Sequence, residues 1–333
     1  MRRKWLVFIP MMVVLAYLAG PSPSAPVYSK DLPSIPSEPA ALEKYVNDAE
    51  AMHKLKPDNE ARIVWANDTT KQKTDYSIVY LHGFSASQKE GDPVHRNIAK
   101  KFGYNLFLSR LAEHGIDTVD QLVNLTADKY WESAKQALAI GNQLGKETIL
   151  MSTSTGGTLA LQLAAAYPDK VAALILLSPN IAINDPFAWV LNDHWGLQIA
   201  RMVKKSDYVV SSDDRPLYKQ YWNKPYRLEG AVALEELLET TMNKETFEKI
   251  HQPVLLLYYY QDDHHQDEVV KVSSMLTMFD ELGTPAGLKR KMAMPLTGNH
   301  VLASPIKSGD VPGVENQVQL FMEQVLGMKL QRN

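Results

Sequence analysis

Between residues 61 and 183, short runs of Val, Ile and Leu alternate with stretches in which apolar side chains recur every three or four positions. ARIVWAN (61–67), DYSIVYLHG (75–83), YNLFLSR (104–110), ETILMS (147–152) and VAALILLSP (171–179) are near-continuous apolar runs, the pattern of strands covered on both faces. Helical spacing is found over 41–56, 93–102 and 126–144. In the last of these it runs through Tyr130, Trp131, Ala134, Ala137, Leu138, Ile140 and Leu144. A further helix follows through TLALQLAAAY and is closed by Pro168 and Asp169. Strands alternating with helices predict an α/β protein with a parallel sheet between two helical layers.

The alternation breaks between about 184 and 248. This stretch has few strand-like runs and carries Trp189, Trp195, Tyr208, Tyr218, Tyr221, Trp222 and Tyr226. The pattern then resumes with PVLLLYYY (253–260), a helix over 268–282, a strand KRKMAMPL (289–296) and a last helix over 314–327. The expected organisation is one α/β core, residues 41–183 and 250–333, split by a helical cap at 184–249.

Ahead of the core, Arg2, Arg3 and Lys4 precede an apolar run from Trp5 to Ala19, and a Pro/Ser stretch follows Gly20. A charged start before an apolar segment is the layout of an export signal. Residues 1–20 are expected to be a cleaved signal peptide or a signal-anchor, with 21–40 an extended linker. The predicted location is extracytoplasmic, with membrane association through the apolar segment if it is retained. A buried N-terminal helix would conflict with the three leading charges.

Composition narrows the chemistry. With 45% apolar and 22% charged residues in 333, a full core is attainable and overall disorder is excluded. The net charge of -3 lacks the basic excess that nucleic acid requires. The absence of cysteine removes disulfides, thiolate nucleophiles and thiolate metal sites.

Three stretches carry candidate chemistry. Ser152-Thr153-Ser154-Thr155-Gly156-Gly157 lies between a predicted buried strand and a helix. A nucleophile held on a sharp strand-to-helix turn needs small residues two before and two after it, and Ser152 and Gly156 are small. Ser154 is the candidate nucleophile; a Ser/Thr-rich helix cap is the bland alternative. Ser152, at the strand end, and Thr155, one residue late, fit the turn less well. Leu81-His82-Gly83-Phe84-Ser85 follows a core strand. The N–H groups of Phe84 and Thr155 are the candidate donors to an oxyanion, with His82 shaping the loop. Thr297-Gly298-Asn299-His300-Val301 follows the last strand and offers His300 as a general base. The acid that orients it should follow strand 253–260. Asp267, ahead of the Val269-Val270 pair, is preferred to Asp262 and Asp263. The His/Asp cluster at 262–267 has no regular metal-ligand spacing, and no metal or cofactor is expected.

LHGF, FLSRLAEHG, STSTGG, LILLSP, the Asp-x-Val-Val stretch and GNHV, in this order, resemble the α/β-hydrolase superfamily over roughly residues 60–330, most of all its esterase and monoglyceride-lipase (lysophospholipase-like) branch. The resemblance implies a mostly parallel, eight-stranded sheet flanked by helices, with a cap inserted after the sixth strand. Two features depart from it: Ser152 stands where the family has glycine, and the acid loop is long. A serine at position 154 separates the chain from relatives with an Asp or Cys nucleophile. It points to a small-molecule ester, thioester or amide substrate cleaved through an acyl-enzyme. The alternatives are a non-catalytic binding protein on the same fold and a serine peptidase. The sequence does not set an oligomeric state.

Overall fold

The computed structural model describes residues 11, 12 and 14–331. Its main sheet is built from β1 (Arg62–Val64), β2 (Thr74–Leu81), β3 (Asn105–Leu108), β4 (Gly145–Thr153), β5 (Ala173–Leu177), β8 (Val254–Tyr258) and β9 (Lys289–Ala293). These seven strands lie in the order β1-β3-β2-β4-β5-β8-β9. All neighbours are parallel except β1 and β3. Side chains alternate between two cores, as a two-residue repeat requires. Val79, Leu81, Leu150, Leu174, Leu176 and Leu256 enter one. Ile78, Tyr80, Ile149, Met151, Ile175 and Leu257 enter the other.

Among the described residues the sheet has seven strands, one fewer than the eight the resemblance implied. The chain ahead of β1 is rich in proline, which cannot donate to a ladder, and from Pro39 to Ala51 it forms helix α1. The three-residue β1 is therefore the edge, a length that discourages pairing with another chain. The last strand also stops earlier than the apolar pattern predicts, at Ala293. Pro295 begins a single helical turn instead.

Helices α2 (Val94–Phe102), α3 (Ala127–Leu144) and α4 (Thr155–Ala166) connect the first strands. Gly103 ends α2 at φ 71°, a left-handed position that glycine takes without steric cost. Thr126 caps α3 by accepting the Lys129 N–H at 3.2 Å, satisfying one of the free donors of its first turn. Between β5 and β8 lie α5 (Gly196–Lys204), α6 (Pro216–Tyr221), α7 (Leu228–Thr241) and α8 (Lys244–Glu248). The insertion is not wholly helical. A short antiparallel ribbon pairs β6 (Tyr208–Val209) with β7 (Tyr226–Arg227). Helices α9 (Val272–Glu281) and α10 (Val311–Gln324) complete the fold.

Residues 21–37 run without helix or strand, yet part of this stretch is tied to the core. The fully buried Lys135 of α3 donates to the carbonyl of Asp31 at 2.8 Å and to the Ser29 hydroxyl. Trp131 donates its indole N–H to the Ser29 carbonyl at 2.7 Å, and Tyr167 its hydroxyl to Lys30 at 2.9 Å. Of the segment read as an export signal, residues 1–10 and 13 lie outside the described residues. Among the described residues no helix is long and apolar enough to cross a membrane.

Candidate active site

The parallel strands all end on one edge of the sheet, where α/β folds bind their ligands. Ser154 stands there, immediately after β4. Its backbone has φ 54° and ψ −121°, a strained conformation for a residue with a side chain, of the kind found at functional sites. The strain is held from outside: Ser154 N–H donates to Leu177 of β5 at 3.0 Å. Gly156 makes the turn possible. A Cβ there would lie 2.0 Å from the Leu81 carbonyl oxygen and 2.8 Å from that of His82. Ser152, the departure from the family pattern, remains in β4, buried, with its Oγ 3.4 Å from the Ile175 carbonyl. It takes no place beside Ser154 in the cavity wall, and the Thr155 hydroxyl is buried without a partner among the described residues.

The loop after β2 approaches the same point. Among the described residues, the N–H groups of Phe84 and Thr155 have no acceptor, as donors reserved for a substrate would not. Two buried histidines pin this loop. His82 donates Nδ1–H to the Gly83 carbonyl at 2.9 Å, and its Nε2 accepts the Leu111 N–H at 3.0 Å. His114 donates Nδ1–H to Ala112 at 2.7 Å and accepts the Ser85 N–H at 3.0 Å. Burial pushes His82 down to about 4 and His114 well below its ordinary value, so both rings stay neutral with the tautomer their partners fix. The insertion braces the loop from the other side. Asn223 N–H donates to Ser85 at 2.5 Å, and the Tyr226 ring meets Phe84 edge-on with centroids 4.9 Å apart.

His300, after β9, is 8% exposed. Its Nδ1–H donates to Asp267 Oδ2 at 2.6 Å. Oδ1 of the same carboxylate accepts the N–H groups of Val269 at 2.9 Å and Val270 at 3.1 Å. Burial alone would raise the Asp267 carboxyl and lower the His300 ring. The opposite charges and their short hydrogen bond outweigh it, holding Asp267 below and His300 above their ordinary values. The length of the acid loop is accounted for by a closed excursion. Tyr260 bridges to Gln266, and Asp267 N–H returns to the Tyr259 carbonyl at 3.2 Å. Asp262 lies on the excursion, paired with His265 at 2.9 Å, and Asp263 accepts the Tyr260 hydroxyl. Neither reaches His300. Among the described residues no three His, Asp or Glu side chains converge as metal ligands would.

Ser154 and His300 line one cavity of about 820 Å³. The insertion supplies its apolar wall through Phe187, Val190, Leu191, Ile199, Val203, Leu228 and Leu234. Of the aromatic residues, Tyr218, Trp222 and Tyr226 border the cavity, while Tyr218, Tyr221 and Trp222 also form a buried cluster with Val301 and Ile306. Sequence reasoning passed over Glu90, a buried carboxyl in the cavity wall. It also passed over the bracing by His114. A Ser-x-x-Glu pattern at Ser87–Glu90 is a common helix-cap signal, which gives a lone glutamate no distinction.

Residues 72–287 match the family of serine aminopeptidases S33. The chain belongs to this S33 family of hydrolases. The S33 chain also shares its fold with solved lipolytic enzymes. It resembles a structure described with the metagenome-derived enzymes LipS and LipT (TM-score 0.64, 15% identity, 81% of this chain and 100% of the other). It resembles the monoglyceride lipase of Saccharomyces cerevisiae (TM-score 0.58, 13% identity, 80% and 91%) and the monoacylglycerol lipase of Paleococcus ferrophilus (TM-score 0.57, 14% identity, 79% and 98%). A stretch of 48 residues is 44% identical to Lipase LipV of Mycobacterium tuberculosis, covering 14% of this chain and 18% of that lipase. The α/β-hydrolase fold read from LHGF, STSTGG and GNHV is thereby borne out, and the S33 chain is an enzyme of the hydrolase class.

Proposed function

We propose that this enzyme cleaves carboxylic esters carrying an apolar chain, by way of an acyl-enzyme on Ser154. One observation carries the reading: Ser154, on its strained turn, and His300, oriented through Nδ1 by Asp267, border the same largely apolar cavity. His300 Nε2 takes the Ser154 proton as Oγ attacks the ester carbonyl. The N–H groups of Phe84 and Thr155 hold the oxyanion. The imidazolium then gives its proton to the departing alcohol, and water repeats the sequence on the acyl-enzyme. Asp267 stays ionised and stabilises the imidazolium. No cofactor takes part. Residues 184–249 act as the cap that walls the chain-binding end of the cavity, on the core of 41–183 and 250–333. The basic start and apolar run of residues 2–19 support an extracytoplasmic location, tethered by residues 1–20 or released after cleavage.

The test is hydrolysis of an ester series of graded acyl length by the purified protein and by Ser154→Ala. An aminoacyl anilide run in parallel probes the peptidase activity that the family's name describes. The expected result is ester turnover that Ser154→Ala lowers by about 10⁶-fold. Unchanged ester turnover in Ser154→Ala would overturn the assignment. Anilide turnover without ester turnover would move the enzyme to the peptidases.

A further inference from the structure

A second buried carboxyl stands beside the nucleophile, and the reaction above leaves it idle. Glu90 lies in the helical turn Gln88–Gly91 and is 2% exposed. Its Oε2 accepts the Gly83 N–H at 2.6 Å. A methyl group built on Gly83 would lie 2.9 Å from that oxygen, 3.1 Å from Oε1 and 2.9 Å from Ser154 Cβ. Only the missing side chain of Gly83 therefore separates Glu90 from the nucleophile. Oε1 has no partner among the described residues, and Glu90 borders the cavity, so this oxygen opens toward the space a substrate would fill.

A carboxylate at this position carries two costs. It is out of water with a single hydrogen bond, and it faces the point where negative charge develops on the substrate. The neutral acid avoids both. With Oε2 accepting from Gly83, the proton resides on Oε1 and is free to be donated. The surroundings favour this form. Tyr80 of β2, Tyr130 of α3 and Tyr218 of α6 face Glu90 as neutral phenols. His95 of α2 is held neutral by burial. Lys89 and Asp92, in the same turn, pair with each other. Of the charged groups, His300 pulls this carboxyl downward, while Lys224 and Lys307 line the same cavity and Lys307 is paired with Asp213. Burial pushes the Glu90 carboxyl up to about 7, against the pull of the Gly83 N–H and His300.

We propose that Glu90 acts as an uncharged acid and donates a third hydrogen bond, from Oε1–H, to the substrate oxygen that the Phe84 and Thr155 N–H groups receive. No proton is transferred. Ionisation of Glu90 removes the donor and puts a negative charge in its place, so the oxyanion site weakens as Glu90 titrates. The inference rests on Ser154 being the nucleophile.

Glu90→Gln is the discriminating variant. Its amide oxygen can accept from Gly83 and its amide nitrogen can donate into the cavity, but it does not ionise. The measurement is kcat and KM against pH for a short, soluble ester. The wild-type kcat is expected to fall as the pH rises through about 7, the value to which burial lifts Glu90, while Glu90→Gln holds its plateau. Glu90→Leu, which has no donor, should lose about 10²-fold in kcat below about pH 7, with little change in KM, and its deficit against the wild type should close as the pH rises and Glu90 ionises. If Glu90→Leu fails to fold, the Glu90→Gln profile alone decides. Identical alkaline limbs in wild type and Glu90→Gln would overturn the proposal and leave Glu90 a structural support of Gly83. A fluorophosphonate adduct on Ser154 of the wild-type protein separates that outcome from failure of the nucleophile assignment. Its absence, together with absence of ester turnover, would overturn both.

Discussion

Replacing Asp267 by Asn tests the orientation of His300 at a single atom. In the native site Oδ1 is committed to the Val269 and Val270 N–H groups, and Oδ2 receives His300 Nδ1–H at 2.6 Å. An asparagine must keep its carbonyl oxygen on the two backbone donors, because an amide NH₂ there would face N–H groups with no acceptor. Its NH₂ therefore faces His300. The imidazole must then present a lone pair at Nδ1 and carry its proton on Nε2, toward Ser154, where it can no longer accept the hydroxyl proton. The loss expected for a wrong tautomer in a Ser-His-Asp site is about 10⁴-fold in kcat, or about 5.4 kcal/mol of transition-state stabilisation. KM should change little, because Asp267 is buried behind His300 and does not border the cavity. Steady-state ester hydrolysis by Asp267→Asn reads this directly, and Asp262→Asn is the control. The control should keep wild-type activity, since Asp262 pairs with His265 away from His300. Loss in Asp262→Asn with retention within tenfold in Asp267→Asn would refute the reasoning.

Four further results are expected. The Asp267–His300 pair links stability to pH with a defined sign. Asp267, depressed below 3.8, stabilises above that value and loses its contribution as the pH falls through its folded pKa; His300, raised above 6.5, stabilises below 6.5 and loses its contribution as the pH rises through its folded pKa. Denaturant midpoints of wild type and Asp267→Asn should therefore differ most between 3.8 and 6.5, where both members of the native pair are charged. Gly156→Ala would force a methyl to within 2.0 Å of the Leu81 carbonyl oxygen and should destabilise by about 3 kcal/mol or more, read as a large drop in Tm with loss of activity. Lys135→Met removes the charged donor to Ser29 and Asp31. It should cost about 1–3 kcal/mol and open residues 27–31 to limited proteolysis that leaves the core intact. Lengthening the substrate's acyl chain should raise kcat/KM about fourfold per methylene until the apolar wall is filled, from about 0.8 kcal/mol per buried CH₂.

Much of the fold was legible because its strands are buried on both faces. Runs such as SIVYL and ETILMS have no reading as surface helices, and their ends fall where turn residues interrupt them. The strand count was not legible. The eighth strand was taken from a resemblance, whereas the proline-rich chain ahead of β1 cannot supply it. The short ribbon of Tyr208–Val209 with Tyr226–Arg227 is two residues wide, below the length at which any periodicity appears. In the site, Ser154 and His300 were marked by small residues at fixed offsets and by their places after strands. Asp267 was separable from Asp262 only by the Val269-Val270 pair expected to enter the core, of which Val270 is buried there while Val269 is exposed at the cavity, since the excursion at 261–266 is closed by hydrogen bonds between residues with no pattern of their own. Glu90 and His114 left no such mark. Their importance comes from burial and from contacts made across the fold, Glu90 with Gly83 and His114 with Ser85.

The central claim is that Ser154 is an activated nucleophile, and covalent labelling tests it most directly. The purified protein is treated with a fluorophosphonate probe, and the modified peptide is located by mass spectrometry. The account predicts one adduct, on Ser154, that vanishes in Ser154→Ala and is strongly slowed in His300→Ala. Folded protein that takes up no probe, or carries it on another residue, would contradict it.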